Sequence, residues 1–366
     1  MDQPTRIIAT LAQDMVRIDS RSAVSNLPVA ERLLRELTSF DVEQLRFHDE
    51  EGVEKVALVA TRGHGGLAFC GHMDTVPDTG WANDPWSGLI ENDTLHGLGS
   101  ADMKGPLAAL VVAARTLPSR VPIALFLTTD EETTKAGARA VVGSQLARRY
   151  APNGILVAEP TRMVPVRGHR AHIEFVVTAT GLQAHSSTGR GRNANWDLLP
   201  FLVDMRRIHD LLRTDSSLQD PAYDPAFSDF NLIIDNHGSA VNVTVPKATV
   251  RIKYRYSAGI DPTPVLEAVR EAAEKASLRL ERRQEGSPPE LDLDHPLVQS
   301  AVALTGKPAR TVPFGTDASQ LQALAPCLIM GPGDIAVAHT PRECVSLSAL
   351  AEAVPMFQQM AERHAG

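Results

Sequence analysis

Three apolar runs dominate what this 366-residue chain can fold into: LAFC at 67–70, VPIALFLT at 121–128 and GILVA at 154–158. Each is too short for a membrane span and reads as a strand buried on both faces. Between them, residues 108–117 and 137–149 carry apolar side chains at helical spacing. Strand and helix in alternation predict a parallel sheet covered on both sides. Every run also stops at acidic or imidazole residues. His72 and Asp74 follow the first, Asp130, Glu131 and Glu132 the second, and Glu159 the third. His72 and Asp74 are two apart, so in extended backbone their side chains leave on the same side. The carboxyl ends of strands are where an open α/β sheet places ligands and chemistry.

The rest of the chain extends this pattern and interrupts it once. Near the N-terminus, 5–18 and 29–37 read as helices, 56–61 as a strand and 81–93 as a loop. Asp102 lies in the glycine-punctuated turn GLGSADMKG, with Pro106 in the first turn of the helix that follows. The glycines of that turn fit neither GxGxxG nor GxxxxGK[ST], which argues against a nucleotide loop. Strands at 173–180, 230–236, 247–256 and 278–283, with helices at 194–213 and 262–276, spell β-α-β-β-α-β, the ferredoxin-like motif. A linker at 285–294 leads to helices at 295–305 and 317–325 and a buried strand at 326–330. The loop GPGDIAVAHTPRE, with His339, and a terminal helix at 346–364 close the chain. The expected class is α/β, a sheet domain built from 1–169 and 286–366 around a smaller inserted domain at 170–285.

Composition narrows the function. The formal charge is −8 with no dense basic block, which argues against nucleic acid or an anionic membrane as partner. No run approaches the ~20 apolar residues of a membrane span, and the first residues lack a secretory pattern; a cytoplasmic protein is expected. The three cysteines, Cys70, Cys327 and Cys344, offer no CxxC spacing, so a metal here would be held by histidines and carboxylates. His72, Asp74, Asp102, Glu131, Glu132, Glu159 and His339 outnumber the ligands of one tetrahedral ion. They suit two ions sharing a bridge, as in sites whose metals lie ~3.5–4 Å apart. Nitrogen and oxygen donors without thiolate suit Zn²⁺, or less selectively Mn²⁺ and Co²⁺.

GHMDTVP, GLGSADMKG, TTDEET, VAEPT and GPG…AHTPRE, in this order and separation, resemble the motifs of the zinc-dependent aminoacylase/carboxypeptidase family. That family includes acetylornithine deacetylase, succinyl-diaminopimelate desuccinylase and carboxypeptidase G. The likeness spans nearly the whole chain, and FGTDAS at 314–319 looks closest to the acetylornithine deacetylases. The resemblance implies a metallopeptidase-like sheet domain with a ferredoxin-like lid and dimerisation domain. It implies that Asp102 bridges two metals, that His72 and Glu159 complete one ligand set, and that Glu132 and His339 complete the other. Glu131 is then the general acid/base, and Asp74 accepts the second ring N–H of His72. His185 matches a histidine that reaches the partner subunit's active site. Arg170, Asn242, Arg255, Gly315 and Thr316 match positions that contact substrate. The implied activity is hydrolysis of an N-acyl amino acid, acetylornithine first, with a desuccinylase or carboxypeptidase substrate as the alternative, by a cytoplasmic homodimer. A non-catalytic binding protein on the same fold is the reading from another class; the full set of ligands and the candidate base weigh against it.

Overall fold

The computed structural model describes residues 3–284 and 286–365. An eight-stranded sheet runs in the order Asp41–His48, Glu54–Arg62, Ile123–Thr128, Leu67–His72, Gly154–Pro160, Cys327–Gly331, Val166–His169 and Arg310–Val312. Ile123–Thr128, Leu67–His72, Gly154–Pro160 and Cys327–Gly331 are mutually parallel. All four are buried along their whole length, as expected of strands with helices on both faces. The period of two sorts their side chains. Leu67, Phe69, Ile123, Leu125 and Leu127 join one core with the helices Gln3–Val16, Gly105–Thr116 and Leu347–Arg363. Ala68, Cys70, Ala124 and Phe126, of opposite parity, are equally buried and lie outside that cluster. Ala136–Gly143 packs on Glu54–Arg62 and Ile123–Thr128.

The described residues divide into two compact units, Met1–Gly168 with Pro289–Thr311 and Thr316–Gly366, and His169–Pro288 with Val312–Gly315. The second boundary falls three residues beyond the expected 285, and a short piece carrying Gly315 joins the second unit. That unit holds a four-stranded antiparallel sheet ordered Asp229–Asp235, Lys247–Tyr256, Ala171–Thr180, Arg279–Gln284. Helices Ala194–Thr214 and Thr263–Lys275 complete the β-α-β-β-α-β order. Ile173, Phe175, Val177, Phe201, Val250 and Val269 sit in its own core.

Several expectations need correction. The helix expected at 137–149 breaks into Ala136–Gly143 and Gln145–Tyr150. Ser144 turns extended and caps the second piece by accepting from the Ala147 N–H. The helix expected at 317–325 shortens to Ala318–Leu321. The loop at 81–93 ends in a strand, Leu89–Glu91, which pairs with Thr94–His96 and, through it, with Cys344–Ser346. Asp41–His48 is a strand absent from the sequence reading. No helix among the described residues is long and apolar enough to cross a membrane.

Candidate metal centre and active site

The parallel strands end side by side, and their ends carry the polar residues. His72 closes Leu67–His72 and is 1% exposed. Its Nδ1 lies 2.9 Å from the main-chain oxygen of Asp74, and its Nε2 lies 3.1 Å from Asp102 Oδ1. Donation from Nδ1 to a carbonyl fixes the ring and presents Nε2 to the cluster. The Asp74 carboxylate is 3.6 Å away, so the bond expected from the ring to that carboxylate is made to the main chain instead. The two-residue spacing folds the Asp74 carbonyl back under the ring. The carboxylate accepts from the Ser22 hydroxyl at 2.8 Å and from the Glu131 and Glu132 N–H groups at 3.2 and 3.3 Å. Asp74 thereby ties the turn bearing both glutamates to the strand end bearing His72.

Asp102 lies in a wide turn, Ser100–Lys104, ahead of the helix Gly105–Thr116. A Cβ at Gly105 would come within 2.2 Å of the Ser100 carbonyl, so only glycine fits there. Beneath the turn, the Glu343 carboxylate accepts from the N–H groups of Gly99, Ala101 and Asp102 at 3.1, 2.9 and 2.9 Å. Held this way, Asp102 turns one oxygen to each histidine, with Oδ2 3.3 Å from His339 Nε2. That same nitrogen is 3.0 Å from Glu132 Oε1. His339 stands at φ 59°, in left-handed backbone, on the loop after Cys327–Gly331. The structure thus brings together five side chains drawn from positions 72 to 339.

Two sets of donor atoms, His72 with Asp102 and Glu159, and Asp102 with Glu132 and His339, each lie within 4.8 Å of one another. Both contain Asp102. A third set, His72 with Glu131 and Glu132, meets the same limit. Charge within the cluster is unbalanced. Burial, with Asp102 and Glu131 nearby, pushes Glu132 up to about 7. Burial and the Asp102 charge raise Glu159 well above the carboxylate range. Burial also opposes the charge on Asp102, yet hydrogen bonds from His339 and His72 hold it well below its usual range. Hydrogen bonds to Asp102 and Glu132 raise His339 to about 11. Carboxylates and imidazoles this close share protons when no other positive charge is present. Divalent cations supply that charge and release the protons. The donor chemistry therefore fits a pair of hard-to-borderline divalent ions.

Glu131 is set apart from its neighbour. Its Oε1 is 2.7 Å from Lys135 Nζ, and both residues are buried. Asp317 is also buried. It accepts from the Thr128 hydroxyl through Oδ2 while Oδ1 has no hydrogen-bond partner.

A sequence profile of "Peptidase family M20/M25/M40" matches residues 68–363. The chain belongs to this family. Relatives of this M20 chain include proteins described as acetylornithine deacetylase. One, from Yersinia pseudotuberculosis serotype O:1b (strain IP 31758), is 35% identical over 306 residues, covering 78% of this chain and 76% of its own. Another, from Myxococcus xanthus, is 33% identical over 365 residues, covering 93% of each. Among solved structures, an M20 family metallo-carboxypeptidase from Sulfolobus solfataricus superposes with a TM-score of 0.76 at 14% identity, over 100% of both chains. A dinuclear metal-binding M20 peptidase from Bacillus subtilis gives 0.66 at 15% identity, over 98% and 97%. At these identities the structural likenesses speak for the fold; the α/β architecture with its inserted unit is that of M20 metallopeptidases. The chain is a metallohydrolase of the M20 family.

The residues expected from the resemblance to contact substrate are not members of the donor sets just described. Arg170 is buried in the second unit, donates to the Pro225 carbonyl and stacks over Tyr223 at 5.3 Å. Arg255 donates to Asp229 at 2.7 Å. His185 is exposed and accepts from the Ser187 N–H at 3.3 Å. Asn242 is exposed, and its carbonyl accepts from the Ser186 N–H at 2.9 Å. Gly315 belongs to the second unit and Thr316 to the first, where its buried hydroxyl accepts from the Ala318 N–H at 3.1 Å.

Sequence reasoning missed three residues beside the centre: Glu343, Lys135 and Asp317. Glu343 ends the quoted motif AHTPRE, but its role is played on main-chain N–H groups, which no spacing announces. Glu343→Ala leaves three N–H donors without their acceptor. We expect cation affinity to fall about 10- to 100-fold, as for other supports behind metal ligands, measured by competition with a chelating dye. An unchanged affinity would show that the turn holds without its brace.

Proposed function

We propose that this chain hydrolyses the amide of an N-acyl amino acid at a two-cation centre, and that N-acetylornithine is its substrate. One observation carries the reading: two complete donor sets share Asp102, with a separate buried carboxylate, Glu131, alongside. The names of the relatives described above support the acetyl group and ornithine. His72, Glu159 and Asp102 would hold one ion, and Asp102, Glu132 and His339 the other. Two divalent cations held there would lower the pKa of a bound water toward about 7 and would polarise the scissile carbonyl. Zinc is the proposed ion, with cobalt or manganese as replacements.

The chain's own groups do the rest. Glu131 takes a proton from the attacking water as the new C–O bond forms. It returns that proton to the amine nitrogen as the C–N bond breaks, releasing acetate and the free amino acid. Asp74 keeps Glu131 and Glu132 in register by holding both main-chain N–H groups. Lys135 donates to Glu131 Oε1, and Asp317 accepts from the Thr128 hydroxyl; neither belongs to a donor set. On the resemblance of their motifs, the same reading assigns His185 to the oxyanion in the partner subunit's site, and Arg170, Asn242, Arg255, Gly315 and Thr316 to contacts with the substrate's carboxylate or backbone. The experiment is a panel of N-acetyl, N-succinyl and N-formyl amino acids, run with chelator and then with added Zn²⁺ or Co²⁺. We expect activity to vanish with chelator and return with metal. We expect kcat/KM for N-acetylornithine to exceed that for the succinylated substrate by about tenfold or more, a difference of one well-made contact. Chelator-resistant turnover, or a succinyl preference, would overturn the respective half.

We further propose a homodimer, formed through the second unit. Trp196, Leu199 and Val203 repeat at helical spacing on Ala194–Thr214 and are 70, 46 and 52% exposed. Ile233 and Ile234 are exposed on Asp229–Asp235, an edge strand of the four-stranded sheet. An apolar helix stripe and an open strand edge, both in this unit, each invite pairing. Sedimentation should give twice the chain mass, and Leu199→Asp should shift it toward monomer. A cytoplasmic location is part of the same reading, supported by three free cysteines, two of them buried.

A further inference from the structure

Glu131 and Glu132 are adjacent, both close to His72, and by distance either could serve as a donor. Something must keep one of them out of the ligand set. Glu132 Oε1 is committed to His339. Glu131 Oε1 is instead drawn to Lys135, whose Nζ is 2.7 Å from that oxygen and 3.2 Å from the Glu131 carbonyl. Lys135 can grip both atoms because its backbone is left-handed, φ 56°, at the end of a turn closed by its N–H on the Asp130 carbonyl at 2.6 Å. It precedes the helix Ala136–Gly143, whose Gly137 packs directly on Thr129, with its Cβ position 2.4 Å from the Thr129 nitrogen. Lys135 is buried, 6% exposed.

We propose that Lys135 is the positioning residue that divides the labour of the two glutamates, holding Glu131 as the proton carrier and out of the ligand sphere. A buried cation at fixed distance competes with the metal for one Glu131 oxygen and leaves the other for the attacking water. Charge-assisted hydrogen bonds of this length are the strong ones. Lysine is well suited, since its three donors serve the carboxylate and the main-chain carbonyl together. The inference rests on the reading of Glu131 as the general base.

The test uses the zinc-loaded protein and four variants, Glu131→Gln alone among them. Lys135→Met keeps the length and removes the charge. We expect kcat to fall about 10- to 100-fold with KM within a few-fold, the usual cost of a misplaced catalytic group. Zinc affinity, read by dye competition, should rise, because Glu131 is released to ligate. Lys135→Arg should recover part of kcat. In a Glu131→Gln background, adding Lys135→Met should cost no further activity and leave zinc affinity unchanged; with both partners neutral, this pair also folds without an unpaired buried charge. Normal kcat in Lys135→Met, or equal losses in both backgrounds, would overturn the proposal. Should Glu131→Gln itself turn over normally, the base assignment fails instead, and the two failures are told apart.

Discussion

Glu131→Gln is expected to lower kcat by about 10²–10⁴, the range for loss of general acid–base help, while the protein binds its cations as before. Glutamine keeps the shape of the side chain and an oxygen for Lys135 Nζ, so the turn held by Asp74 has no reason to move. It cannot accept a proton from water or deliver one to a leaving amine. The measurement pairs turnover under saturating acetylornithine with metal content after gel filtration. A dead enzyme with a full metal complement supports the role. Loss of metal would make Glu131 a ligand, and near-normal turnover would remove it from the chemistry.

The second large effect is expected from Asp102→Ala. This residue faces both histidines, Oδ1 toward His72 and Oδ2 toward His339, and it is the only member common to the two donor sets that hold Glu159 and His339. Alanine removes a donor from each set at once. Metal assistance is worth several kcal/mol of transition-state stabilisation, so activity should fall about 10³-fold or more. The Glu343 carboxylate and the glycines around the turn remain, so far-UV circular dichroism should be unchanged. Retention of both ions with most of the activity would show that the centre does not depend on a shared carboxylate.

The parts of the fold legible in the sequence are those whose burial is uniform. Leu67–His72, Ile123–Thr128 and Gly154–Pro160 sit between two helix layers, and their apolar runs declare it. The ferredoxin-like insert was equally legible, because alternation in Ala171–Thr180 and Lys247–Tyr256 contrasts with helical spacing in between. Asp41–His48 was hidden: DVEQLRFH never falls below partial exposure, so it lacks the apolar signal of a covered strand. Cys344–Ser346 and its partners are three residues each, shorter than any period can register. The same reason hid Glu343, which acts on N–H groups 241 to 244 residues earlier. Lys135 escaped because its reach depends on a left-handed residue between a turn and a helix. The acidic and imidazole positions at strand ends were visible because topology alone places them.

The miniature sheet that joins Leu89–Glu91, Thr94–His96 and Cys344–Ser346 also sets a timetable. Asp102 is laid down early in synthesis, but the acid that braces it follows 241 residues later, just after the imidazole that faces it. Until that stretch is made and has closed a very long loop, the turn around Asp102 lacks its brace and the set of Asp102 and Glu132 lacks its imidazole. Products cut short before His339 are therefore expected to lack the ion that Asp102, Glu132 and His339 would hold, read as metal content per chain.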